Sequence, residues 1–147
     1  MSTKELLHQR IKLPLFHIYY NVIVTNSMRD AEDLLQELFP GLQLKIETDV
    51  CGYCALVSHF SMGRQLILII NTEDMGIDKP NLISTVYHEC THLSWYIMDN
   101  LGITVDGDNH EIQAYLMEEL ITKVSDVVEE SKKIYAKNDS SDDVGSL

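Results

Sequence analysis

The apolar positions change period along this chain, and the changes mark out its elements. Phe16–Thr25 is rich in Ile, Val and Tyr and predicts a strand. From Met28 to Leu38 the apolar residues Ala31, Leu34, Leu35 and Leu38 share one face of a helix, which Asn26 or Ser27 can cap. Pro40-Gly41 ends it. Gln43–Val50 alternates Leu44 and Ile46 with Lys45 and Glu47, the pattern of a half-buried strand. Tyr53–Phe60 predicts another strand, and Gln65–Ile70, apolar almost throughout, a third. Ser61-Met62-Gly63 joins these two as a hairpin. Ser2–Arg10 suits a short helix or a disordered arm. After the polar loop Asn71–Lys79, Pro80 suits the first turn of a helix over about Asn81–Asn100. Asn100-Leu101-Gly102 stops that helix, and a second runs from about Asn109 to Tyr135.

The order strand, helix, three strands, helix, helix implies an α+β fold: a mainly antiparallel sheet covered by helices. The 147 residues suit one domain with one core. That domain spans residues 1–136. Residues 137–147, rich in Ser and Asp, predict a disordered acidic tail. The chain shows no internal repeat.

Charge alters this picture little. The net charge is −12. Through Ile70 there are six basic and seven acidic residues. From Asn71 onward there are five basic and sixteen acidic. Such a balance argues against a phosphate-backbone partner, and no nucleic acid is expected. It puts the acidic excess in the half that would hold a cation, although solubility accounts for most of it. No apolar run is long enough to span a bilayer, and Leu13–Val24 is broken by Pro14, His17 and Asn21, so neither a membrane anchor nor a signal peptide is expected. Three cysteines, an odd number, do not suggest a disulfide framework, and a cytoplasmic setting is expected.

The chemistry concentrates between Ser84 and Tyr115. His88, Glu89 and His92 form an HExxH pattern. On a helix the two imidazoles leave one face and can take two corners of a zinc tetrahedron. Glu89 points about 100° round from His88. It is placed to take a proton from a metal-bound water, which is the physical content of the motif. Zinc needs a third protein ligand. Glu111, in the first turn of the second helix, is the candidate, since two helices joined by a short loop can pack antiparallel. Tyr115, one turn further on, is a candidate donor to a substrate carbonyl oxygen.

Eighteen residues separate His92 from Glu111. HExxH-x18-E, with the small Ala114 three residues later, resembles the gluzincin zinc metallopeptidases, whose third ligand is a Glu on the next helix. The likeness covers residues 84–118. The chain is also similar, more loosely, to small HExxH proteins of bacteriophages and bacteria. A metzincin pattern is absent, because Trp95 and Met98 stand where its Gly and third His belong. Two positions depart from the gluzincin pattern. His110 replaces the usual Asn before the ligand Glu. Tyr115 replaces the Asp that orients a zinc-binding His in thermolysin-like members, so Glu118 or a carbonyl must take that role. The resemblance implies a compact zincin-like domain in which an edge strand holds the substrate backbone. Gln65, Leu66, Ile67, Leu68, Ile69, Ile70 and Asn71 are the candidates for that strand, or else form a central buried one.

The expected function is therefore a zinc-dependent peptidase acting on a peptide or protein, inside a bacterial or phage-infected host cell. The alternatives are a zincin-like binding module without turnover, and a structural, phage-type protein without metal. Glu111 also has the spacing to close a capping box with Asp108. Cys51-Gly52-Tyr53-Cys54 is a CxxC, but a strand-like sequence follows it and no second CxxC exists. A turn with two incidental thiols is the simpler reading. Cys90 is expected to face the core.

Overall fold

Leu66–Ile70 is apolar on both faces of a strand, so it needs cover on both sides. The computed structural model describes residues 4–73 and 81–142 and provides that cover. The elements are β1 (Leu6–Leu13), β2 (Ile18–Thr25), α1 (Met28–Leu38), β3 (Gly52–His59), β4 (Gly63–Asn71), α2 (Leu82–Asn100) and α3 (Glu111–Asp142). One four-stranded sheet has the order β1-β2-β4-β3. The β1–β2 and β3–β4 pairs are antiparallel, and β2–β4 is parallel. The architecture is α+β, with a mostly antiparallel sheet between helices.

Alternate residues of β2 and β4 divide the core. Val22, Val24, Leu66, Leu68 and Ile70 face α2 and α3 and meet Val86, Cys90, Leu93 and Leu120. Ile23, Ile67 and Ile69 face the other way, toward Met28, Ala31 and Leu35 of α1. α1 starts as its sequence predicts, with the Ser27 hydroxyl accepting from the Asp30 amide at 3.4 Å. α2 lies over β3 and β4, and α3 over β1 and β2.

Four expectations are corrected. Leu6–Leu13 is a strand, neither helix nor arm. It pairs with β2 at all eight positions, and the long-range ladder overrides an ambiguous local pattern. Gln43–Val50 is not a strand. Leu42, Leu44, Ile46 and Val50 pack beside α1, and the Ile46 amide donates to Glu32 Oε2 at 3.3 Å. Its alternation thus faces a helix rather than a sheet partner. The substrate strand is the third correction. Leu66, Ile67, Leu68, Ile69, Ile70 and Asn71 pair with β2, while Gln65 through Ile70 also pair with β3. With both edges bonded, β4 has no free backbone to take a peptide; the edges are β1 and β3. Finally, α3 runs on through Asp142, so Lys137–Asp142 belongs to the helix rather than to a disordered tail. Residues 143–147 lie outside the described residues, as do Pro80 and most of the loop before it. Among the described residues no helix is long and apolar enough to cross a membrane.

The edge at β1 is tied down. The Tyr135 hydroxyl of α3 accepts from the Leu6 amide at 2.6 Å and donates to the Leu6 carbonyl at 2.8 Å. Tyr135→Phe leaves both groups without that partner. It should cost about 1–3 kcal/mol by urea denaturation and speed hydrogen exchange at the Leu6 amide.

Candidate metal centre

α2 opens at Asn81, whose side chain accepts from the Ser84 amide at 2.7 Å. Its helical period then sorts the motif. Val86, Cys90, Leu93 and Ile97 enter the core, Thr85 and Glu89 are buried, and His88 and His92 remain exposed. The two imidazoles converge, with Nε2 to Nε2 at 3.2 Å and ring centroids 4.9 Å apart, tilted by 70°. Two nitrogens bound to one tetrahedral zinc at about 2.0–2.1 Å stand about 3.3 Å apart. The pair therefore has the spacing that two corners of a zinc site require.

Glu89 is only 6% exposed. Among the described residues it makes no hydrogen bond or ion pair. Burial raises its carboxyl above the ordinary range, and neighbouring His88 partly opposes the shift. Strand β3 makes room for it. A Cβ on Gly52 would stand 2.7 Å from Glu89 Cγ and 2.8 Å from its Oε1. Only a residue without a side chain lets the backbone come so close to the carboxylate. Both line a cavity of about 410 Å³ with Val50, Cys51, Thr85 and His88. The motif thus opens onto β3, and on its far side this strand has no partner in the sheet.

The cysteines lie around this carboxylate. All three are free. Burial, then the charge of Glu89, pushes the Cys90 thiol up to about 12. The same influences, with Cys90 added, raise the Cys54 thiol far above its usual range. A thiol held protonated is a poor nucleophile, which disfavours Cys54 as an attacking thiol.

Glu111 stands elsewhere. Asn100, at the end of α2, accepts from Arg64 Nη1 at 2.8 Å, so α2 ends where β4 begins. Glu111 lines a cavity with Leu13–Phe16, at that same end of the sheet. Tyr135, near the other end of α3, reaches Leu6 at the opposite end. The two helices therefore run antiparallel, and Glu111 is level with the end of α2. His92 lies eight residues back from Asn100, about 12 Å along the axis. Among the described residues, no three His, Cys, Asp or Glu side chains gather where they could hold a metal ion. Tyr115 is 67% exposed and lines the Glu111 cavity, away from Glu89. Nor does Asp108 cap α3. The turn is built on Asp106 Oδ1, which accepts from the amides of Asp108 and Asn109 at 2.8 and 3.1 Å, and the Ala114 amide donates to the His110 carbonyl.

The contact between Gly52 and Glu89 had no signal in the sequence, because it joins two elements through a missing side chain. Comparison with protein-family models, curated proteins and solved structures gives no match.

Gly52→Ala should destabilise the fold by about 1–3 kcal/mol, the usual cost of overpacking. Adding Glu89→Ala should recover most of that loss. A double-mutant cycle by urea denaturation that gave simple additivity would contradict the contact.

Proposed function

We propose that the chain is a zinc-dependent peptidase. The observation that carries this reading is the His88–His92 pair at zinc spacing, beside a buried, unpartnered Glu89 facing an edge strand. His88 and His92 would hold the ion through Nε2. Zinc bound there would supply a Lewis acid and lower the pKa of a water toward about 7. Glu89 takes the proton of the attacking water and passes it to the leaving amine. The free edge of β3 receives an extended peptide as an added strand, and main-chain bonds hold it in register. The substrate is then a peptide or an unfolded segment of protein.

The gluzincin likeness implies Glu111 as third ligand, and in the arrangement above it lies at the far end of α2. That separation favours a second reading, a zincin-like module that binds peptide along β3 without turnover. Glu111→Gln bears on the ligand question. A fall in zinc affinity at unchanged helix content would assign Glu111 to the metal; no change would leave it in the α3 cavity.

Protein purified without added metal should carry about one zinc per chain, and His88→Ala or His92→Ala should empty the site. Elemental analysis checks this, and a wild type that takes up no zinc on dialysis ends both metal readings.

Glu89→Gln separates enzyme from module. The variant should keep its zinc and lose about 10²–10⁴-fold in peptide cleavage, while a chelator stops the wild type. Equal inactivity of both proteins on a broad peptide library, with zinc bound in each, would leave the module reading.

A further inference from the structure

The connection from β1 to β2 and the first turns of α3 flank a second, open cavity of about 480 Å³. Its size is that of a small-molecule site. One wall is Leu13–Phe16, and the other is Ile112, Tyr115 and Leu116. Leu15 and Tyr115 are 75% and 67% exposed, so neither is committed to the core. Against these apolar walls stand two charged groups of one sign, Glu111 and Glu119, and no cation lines the cavity. Among the described residues neither carboxylate has an ion-pair or hydrogen-bond partner; Glu111 is exposed, and Glu119 also borders a neighbouring groove with Arg10, Lys12 and Lys123. Buried Tyr20 feels the charge of Glu119, which raises its hydroxyl pKa further beyond the effect of burial.

The spacing is specific. Glu111, Tyr115 and Glu119 are at i, i+4 and i+8, on one face of α3. The two acids are thus about 12 Å apart along the helix, with the tyrosine ring between them. A purely apolar occupant would make no use of the two carboxylates, and a bare metal ion would leave the apolar walls unused. An apolar chain with a cation at each end satisfies both.

We propose that this cavity binds an aliphatic diamine or polyamine. Its methylene chain lies between Leu13 and Leu15 on one side and Tyr115 and Leu116 on the other, and its ammonium groups meet Glu111 and Glu119. The acidic excess of the second half of the chain raises the local concentration of such cations. The site makes no use of His88, His92 or Glu89; it shares Glu111 alone with the metal question, and a zinc affinity that depends on Glu111 would take that carboxylate away from this cavity.

The test is titration of the isotopically labelled full chain with 1,8-diaminooctane, octylamine and 1,8-octanediol, followed by amide shifts and by calorimetry. The diamine should bind roughly tenfold tighter than octylamine, the gain expected of one further charge-assisted contact. The shifts should centre on Leu15 and Tyr115. Glu111→Gln and Glu119→Gln should each bring the diamine down to the affinity of octylamine while leaving helix content unchanged. Octanediol binding as tightly as the diamine would reduce the site to a simple apolar groove and overturn the proposal. Diamine binding that neither variant weakens would mean diffuse counter-ion attraction, with the same result. A peptide of alternating Lys and Leu that binds here when the diamine does not would make the cavity a protein-docking surface instead.

Discussion

A strand that is apolar on both faces cannot be left at the margin of a sheet or open to water. Leu66–Ile70 is such a strand, and the rest of the structure follows from covering it. Its two faces call for α1 on one side and the α2–α3 pair on the other. Its two edges call for β2 and β3. Once those are in place, β3 becomes the outer strand beneath α2. Among the described residues, the sheet edge beneath the HExxH motif is then Gly52–His59. Burial of one apolar run thus places β4 inside the sheet and leaves β1 and β3 as its edges.

The parts legible in the sequence were those set by local rules. α1 has its cap, its period and its Pro-Gly stop within a dozen residues, and its limits come out as the pattern predicts. α2 likewise runs from Leu82, capped by Asn81, to Asn100. The β3–β4 hairpin follows from two apolar runs around Gly63, whose φ of +74° suits a residue without a side chain. β1 was not legible. Leu6, Leu7, Ile11 and Leu13 fit a helical face about as well as a strand, and only pairing with β2 decides between them. Gln43–Val50 failed for the converse reason. Its period of two is real, but the apolar residues lie along α1 and the polar ones face away. A period reports which residues are covered and says nothing of what covers them.

The candidate site divides along the same line. Four residues on a helix must bring two side chains to one face, so the convergence of His88 and His92 is a local fact. Whether a third group arrives depends on how far α2 continues past His92 and how α3 returns. Here α2 continues for eight residues beyond His92, and the turn at Thr104–Asn109 is closed on itself by Asp106 and Asn109. An antiparallel partner starting beyond such a turn is in register with the end of α2. Its first turn therefore falls opposite the β1–β2 connection, and Glu111 and Tyr115 go with it. A family spacing fixes the count of residues between two ligands; it leaves free the length of helix consumed before the turn.

What remains is the cost the fold bears at Glu89. A carboxylate only 6% exposed, without a protein hydrogen-bond donor and lining a cavity, loses part of its hydration, and burial shifts its pKa upward. Packing alone would be served by an apolar residue here, since Cys54 and Cys90 already supply an apolar setting. Instead the chain gives up a side chain at Gly52 so that the carboxylate can lie against β3. Elsewhere in the core, local preference and packing agree, apart from the Tyr20 hydroxyl, which is buried without a partner beneath α3. Positions that break the rules while the rest of the chain obeys them are where function is expected. Glu89 meets that criterion through two features far apart in sequence, an acid in a helix and a glycine in a strand. Together they place one carboxylate in the wall of a cavity that His88 also lines.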